Sequence, residues 1–105
     1  MKRTPLRPVS ARRRATFAAR RQCIDAVLAR DGGCVFARRY SAHLREGGEP
    51  LEVPTRCWGV LDVHEPEGRH GENFLDPDEC VALCRKHHDF AHDHPAIARV
   101  LGLKT

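Results

Sequence analysis

The sequence has no run long and apolar enough to cross a membrane, and no apolar stretch resembling a signal peptide follows its start, "MKRTPLRPVSARRR". It has no internal repeat and no low-complexity segment beyond that basic start. It also lacks an even cysteine count. Five cysteines cannot all pair, which disfavours an extracellular disulfide framework and favours a reduced, cytoplasmic setting with metal-bound thiolates. The 105 residues imply one domain. A body starting at residue 34 is near the size at which a core needs a disulfide or metal staple.

What is present begins with charge. The net charge of +4 hides an asymmetry. Residues 1–33 carry nine Lys/Arg against Asp25 and Asp31, a net of +7. Residues 34–105 carry nine Lys/Arg against twelve Asp/Glu, a net of −3. A basic arm thus leads into an acidic body. Such an arm suits nucleic-acid phosphates, where counterion release drives association. Lys2, Arg3, Arg7, Arg12, Arg13, Arg14, Arg20 and Arg21 are the candidate contacts. A solvated tail or an anionic membrane surface are the alternative readings.

Local patterning predicts an α+β chain. Residues 1–14 read as a flexible basic arm and residues 15–105 as the domain, although Ser10 is placed to cap a helix over 11–30. Phe17, Ile24, Val27 and Leu28 form its apolar stripe, Cys23 reads as a buried apolar residue, and "DGG" ends the helix. "CVFARRY" reads as a short strand or turn. "SAHLREGGEPLEVPTR" reads as an inserted loop, with His43 solvated. "WGVLDVHEP" and "CVALC" are strand candidates separated by a turn-rich connection. From Arg85 the pattern is helical, breaks at Pro95, and resumes until Gly102.

The stretch "LCRKHHDFAHDHP" holds four of the chain's seven histidines. Cys84-x2-His87 is a short chelating turn of the zinc type, whereas His88-x3-His92 puts two imidazoles one helical turn apart. The two phases differ, so the stretch reads as parts of two metal sites. One is a structural Zn2+ site of Cys34, Cys57, Cys84 and His87, with Cys80 as a rival ligand whose apolar neighbours favour a core role. The other joins His88 and His92 to His64 and leaves positions open for water and a phosphate oxygen, as a hydrolytic ion requires. Its ion is one catalytic divalent metal: Mg2+, Mn2+, Ni2+, Co2+ or Zn2+. Glu65 and Asp62 are carboxylates near enough in sequence to accept a proton. His70 and His94 read as surface residues.

"LDVHEPEGR" followed by "LDPDECVALCRKHHDFAHDHPAIARVLGL" resembles the HNH endonucleases of the small phage and prophage type. The starts "KRTPLR" and "RDGGC" look like those proteins too. The resemblance covers residues 30–36 and 57–103 and leaves the intervening loop uncovered. It implies a zinc-stabilised ββα-metal fold that hydrolyses DNA phosphodiester bonds with one divalent ion. By association it also implies a role in phage genome processing or packaging, with packaging proteins as partners. Carried over, His88 is the final motif histidine and His92 a further metal-side histidine. His64 and Glu65 form the tandem pair, with His64 as ligand and Glu65 as base, or with His64 itself as the base. Two departures stand out. His87 replaces the family's second CxxC cysteine, and Glu79 replaces its central asparagine, for which Asn73 is a substitute. The second departure keeps an alternative open: a weak or inactive zinc-stabilised DNA-binding module.

Overall fold

The computed structural model describes residues 10–68 and 71–105; Lys2, Arg3, Arg7 and His70 lie outside the described residues. It is a small α+β structure with one two-stranded antiparallel sheet. Helix α1 spans Ala11–Asp31 and α2 spans Phe36–Arg45. Strands β1 (Leu61–His64) and β2 (Val81–Cys84) follow, joined through two short 3-10 turns. Helices α3 (Arg85–Asp93) and α4 (Pro95–Val100) close the chain.

Helix α1 starts where its cap allows. The Ser10 hydroxyl accepts the Arg13 N–H at 3.2 Å, and Gly32 ends the helix at φ 65, a left-handed conformation that costs glycine little. Arg12, Arg13 and Arg14 therefore lie on helix rather than on a flexible arm. Only the C-terminal half of α1 packs. Cys23 and Val27 are buried and Leu28 half-buried against Cys80, Ala82 and Val63, while Phe17 is 56% exposed. The apolar stripe inferred from sequence thus continues one turn too far.

Residues 36–45 correct the sequence reading more strongly, forming helix α2 where a strand or turn and then a loop were expected. Phe36, Tyr40 and Leu44 recur every four residues, the helical spacing, and Phe36 is 2% exposed. The Tyr40 hydroxyl then accepts the Leu51 N–H at 3.0 Å and donates to the Leu51 carbonyl at 3.2 Å. This hydroxyl pins the Gly- and Pro-rich segment back onto the helix.

In the sheet, Leu61 pairs with Cys84 and His64 with Val81. All four β2 residues are buried, because the strand is covered on both faces. Ala82 packs against α1, whereas Val81 and Leu83 join Phe36, Ala91, Ala98, Leu101 and Leu103 in the main core. The outer edge of β2 is satisfied by the last residue of α1 and the segment that follows it. The Asp31 carboxylate accepts the Ala82 N–H at 2.8 Å, and the Val35 N–H donates to the Ala82 carbonyl at 3.0 Å. Arg30 grips the same carboxylate at 2.8 Å and donates to the Pro77 and Cys80 carbonyls. A two-stranded sheet is marginal alone, so closing its open edge matters to the whole molecule.

Asp31→Ala should strand the buried Ala82 N–H and cost about 1–3 kcal/mol, read from urea denaturation. The Arg30 hydrogen bond, aided by the Ala82 N–H, holds the Asp31 carboxyl below its usual value. Its stabilisation is therefore fully present above the unfolded value near pH 4 and is lost as pH falls through the folded one. An Asp31→Asn protein should lack that acid-side component while keeping its other pH dependence.

Candidate metal centres

Four ligand groups from four separate places meet at the start of α3. Cys34 precedes α2, Cys57 precedes β1, Cys84 ends β2, and His87 lies in the first turn of α3; their ligand atoms all fall within 4.8 Å of one another. His87 Nδ1 is 3.1 Å from Cys84 Sγ, 3.4 Å from Cys34 Sγ and 3.7 Å from Cys57 Sγ. The other ring nitrogen, Nε2, donates to the Pro54 carbonyl at 2.8 Å, which leaves Nδ1 with the lone pair aimed at the sulfurs. The imidazole stacks flat on Phe36 with centroids 4.0 Å apart, so its plane is fixed as well. This group can hold a metal ion, and its chemistry fits one.

The thiols show the same fit electrostatically. Burial, then hydrogen bonding with Cys84 and Cys34, pushes the Cys57 thiol up to about 12. Cys57 is exposed as a residue, yet its sulfur lies among the other ligand atoms. Burial also raises Cys84, but the backbone N–H groups of His87 and Trp58 and the neighbouring thiols outweigh it and leave Cys84 below its usual value. Without a cation, Cys57 thus resists giving up its proton beside Cys84. A divalent ion removes that obstacle and draws off the protons. Cys80 is not part of the group. It is 1% exposed, packs with Cys23 between α1 and β2, and burial pushes it up to about 12.

A second group lies on the neighbouring face of α3. His64 at the end of β1 meets His88 and His92, with ligand atoms again within 4.8 Å of one another. His92 Nε2 is 3.2 Å from His88 Nε2. Each of the two deeper imidazoles has its far nitrogen engaged. His64 Nε2 donates to the Leu103 carbonyl at 2.6 Å, and His88 Nδ1 donates to the Asp62 carboxylate at 3.1 Å. The nitrogen this leaves on His88, Nε2, is the one that faces His92. Burial holds the His64 imidazole below its usual value, with the His88 and His92 rings adding to the effect and the Leu103 bond opposing it. The neutral, metal-ligating form is thus favoured. His64 is buried, His88 half-buried and His92 exposed, so the group opens to solvent on one side. Three ligands leave positions for water or substrate, in contrast to the four-ligand group.

The carboxylates divide between elements. Asp62 and His64 share one face of β1, and Asp62 also pairs with Arg85 at 3.3 Å. Glu65 turns toward α1, where its Oε1 lies 3.2 Å from Arg20, and it still borders a small cavity shared with His64 and His92. Arg20 also donates to the Phe74 carbonyl and is only 19% exposed, which removes it from the free phosphate contacts expected of it. Arg12, Arg13, Arg14 and Arg21 remain on the exposed surface of α1. Asn73 donates to the Gly68 carbonyl and so braces the β1–β2 connection. Glu79 borders an acidic hollow with Glu67, Glu72 and Asp76 rather than either ligand group. His94 is exposed and stacks on Phe90. His43 meets the Glu49 carbonyl at 2.8 Å.

Sequence reasoning named every residue that the fold brings together in the two groups. It missed the carbonyls of Pro54 and Leu103, which carry no residue-type signal, and the orienting role of Asp62, whose two-residue spacing from His64 was the available clue.

The protein as purified should retain about one tightly held metal ion at the four-ligand group. Cys84→Ala should lose both that ion and the fold, whereas Cys80→Ala should keep them, as elemental analysis and circular dichroism would report. Asp62→Asn should weaken divalent-ion binding at the three-histidine group about 10- to 100-fold in a calorimetric titration while sparing the first ion. Among the described residues no helix is long and apolar enough to cross a membrane. Comparisons with family models, with curated proteins and with solved structures find no match for this chain, so its residues and their geometry carry the functional reading.

Proposed function

We propose that this protein is a metal-dependent DNA endonuclease of the HNH type, with a structural zinc at Cys34, Cys57, Cys84 and His87. One observation carries the reading. His64 on β1 converges with His88 and His92 on α3, immediately beside a separate four-ligand group on the same helix. The order β1, β2, α3 and the antiparallel pairing support a ββα-metal arrangement. The exposed arginines of α1 support DNA as the partner.

His64, His88 and His92 would hold the catalytic ion, which when bound supplies Lewis-acid stabilisation of charge on the phosphodiester. The protein's own groups do the rest. Asp62 orients His88, and the Leu103 carbonyl orients His64. After that bond His64 has a single lone-pair nitrogen, so it serves either as ligand or as base and not as both. Its convergence with the other two histidines favours the ligand role. Glu65, held by Arg20, is then the base that takes a proton from the attacking water. The water oxygen bonds to phosphorus, and the bond from phosphorus to one sugar oxygen breaks.

Glu79 favours a second reading. It stands at the family's asparagine position, and the amide that shares its acidic hollow, Asn73, donates to the Gly68 carbonyl. A zinc-stabilised DNA-binding module with little or no cleavage would follow.

Incubation with supercoiled plasmid across Mg2+, Mn2+, Ni2+ and Zn2+, with a chelator control, separates the two. Cleavage should be metal-dependent. His88→Ala should keep the fold and the structural ion yet lose on the order of several kcal/mol of transition-state stabilisation, enough to erase visible cutting. His87→Ala, one residue away, should unfold the body. A wild-type protein that binds DNA and cuts nothing under any ion would leave the second reading, with Glu79→Asn as the test of its cause.

A further inference from the structure

The cavity beside the three-histidine group has a wall that the proposed chemistry has not used. It measures about 80 Å³ and is bounded by His64, Glu65, Pro66, His92, Leu103 and Lys104. The C-terminal segment that forms this wall is firmly placed. Leu103 is 0% exposed and its carbonyl takes the His64 hydrogen bond, while the Thr105 N–H donates to the Pro66 carbonyl at 3.2 Å. Lys104 is thus held between two anchored residues, and its side chain starts at the rim.

Charge then distinguishes this lysine. The imidazoles ligate only when neutral. The acids around them are matched: Glu65 by Arg20 at 3.2 Å, and Asp62 by Arg85 at 3.3 Å. Among the described residues Lys104 has no ion-pair or side-chain hydrogen-bond partner, and it is exposed. An unmatched ammonium on a short tether, at the mouth of a cavity shared with two metal-type histidines, is complementary to a phosphate oxygen. Lysine suits this as a compact point charge with three donors.

We infer that Lys104 is a phosphate-binding residue of this site, gripping a non-bridging oxygen of the phosphodiester that reaches the histidines. The inference rests on the nuclease reading for its substrate, but its binding part can be tested separately. Lys104→Gln and Lys104→Arg would be compared with wild type in three assays on the manganese-loaded full chain. These are binding of inorganic phosphate by calorimetry, hydrolysis of bis(p-nitrophenyl) phosphate, and plasmid cleavage. Lys104→Gln should weaken phosphate binding about tenfold or more, the size of one charge-assisted hydrogen bond. It should slow the small diester and the plasmid by the same factor. Lys104→Arg should recover most of the loss, with manganese affinity and melting temperature unchanged in both.

Slowing confined to the plasmid would overturn the inference, because it would place Lys104 on remote DNA backbone. Unchanged phosphate affinity, or a drop in manganese affinity, would overturn it too. Lys104-dependent phosphate binding by a wild type that hydrolyses neither substrate would uphold the inference while removing the nuclease reading.

Discussion

The structure turns on the four residues from Cys84 to His87. Cys84 ends β2, and its sulfur accepts the His87 N–H at 3.5 Å, so it caps α3 as well as joining the four-ligand group. One side chain therefore decides where the strand stops, where the helix starts, and at what rotation it starts. Successive residues of a helix point about 100° apart. With His87 aimed at the sulfurs, His88 and His92 must face β1, where Asp62 and His64 receive them. Two adjacent histidines thus belong to different groups because one thiol sets the phase of their helix.

This junction also explains how so little sheet suffices. A two-stranded sheet gains stability here from being enclosed, with α1 on one face and the α2, α3 and α4 core on the other. Cys34 and Cys57 draw the starts of α2 and β1 to the same point as β2 and α3. A bound ion there would crosslink four parts of the chain, in addition to the apolar core that α2, β2 and α3 share. The remaining loose edge, at Ala82, is closed by Asp31 and Val35. Polar groups therefore do what a larger domain would leave to apolar burial.

Around the three-histidine group, charge is balanced by elements distant in sequence. Arg20 from α1 meets Glu65, and Arg85 from α3 meets Asp62. Each pair fixes a carboxylate that would otherwise swing freely, and each leaves little net charge near the imidazoles. The basic N-terminal region is thereby split in role. Arg20 and Arg30 are structural, tied to carbonyls of the β1–β2 connection, while Arg12, Arg13, Arg14 and Arg21 are exposed on the surface of α1.

The sequence by itself determined which residues make up the two Cys/His groups, both strands, and helices α1, α3 and α4. These depend on residue type and short-range spacing: a serine cap, a glycine stop, a Cys-x2-His turn, a His-x3-His pair. It did not disclose α2, whose single apolar edge of Phe36, Tyr40 and Leu44 is interrupted by two arginines and reads weakly over ten residues. Nor did it separate Arg20 from the other arginines. Only tertiary structure decided that, because the Glu65 carboxylate and Phe74 carbonyl that claim Arg20 lie more than forty residues away. The same holds for the tautomers of His64 and His87. Each is set by a backbone carbonyl, and every residue has one, so only the folded chain can select Leu103 and Pro54.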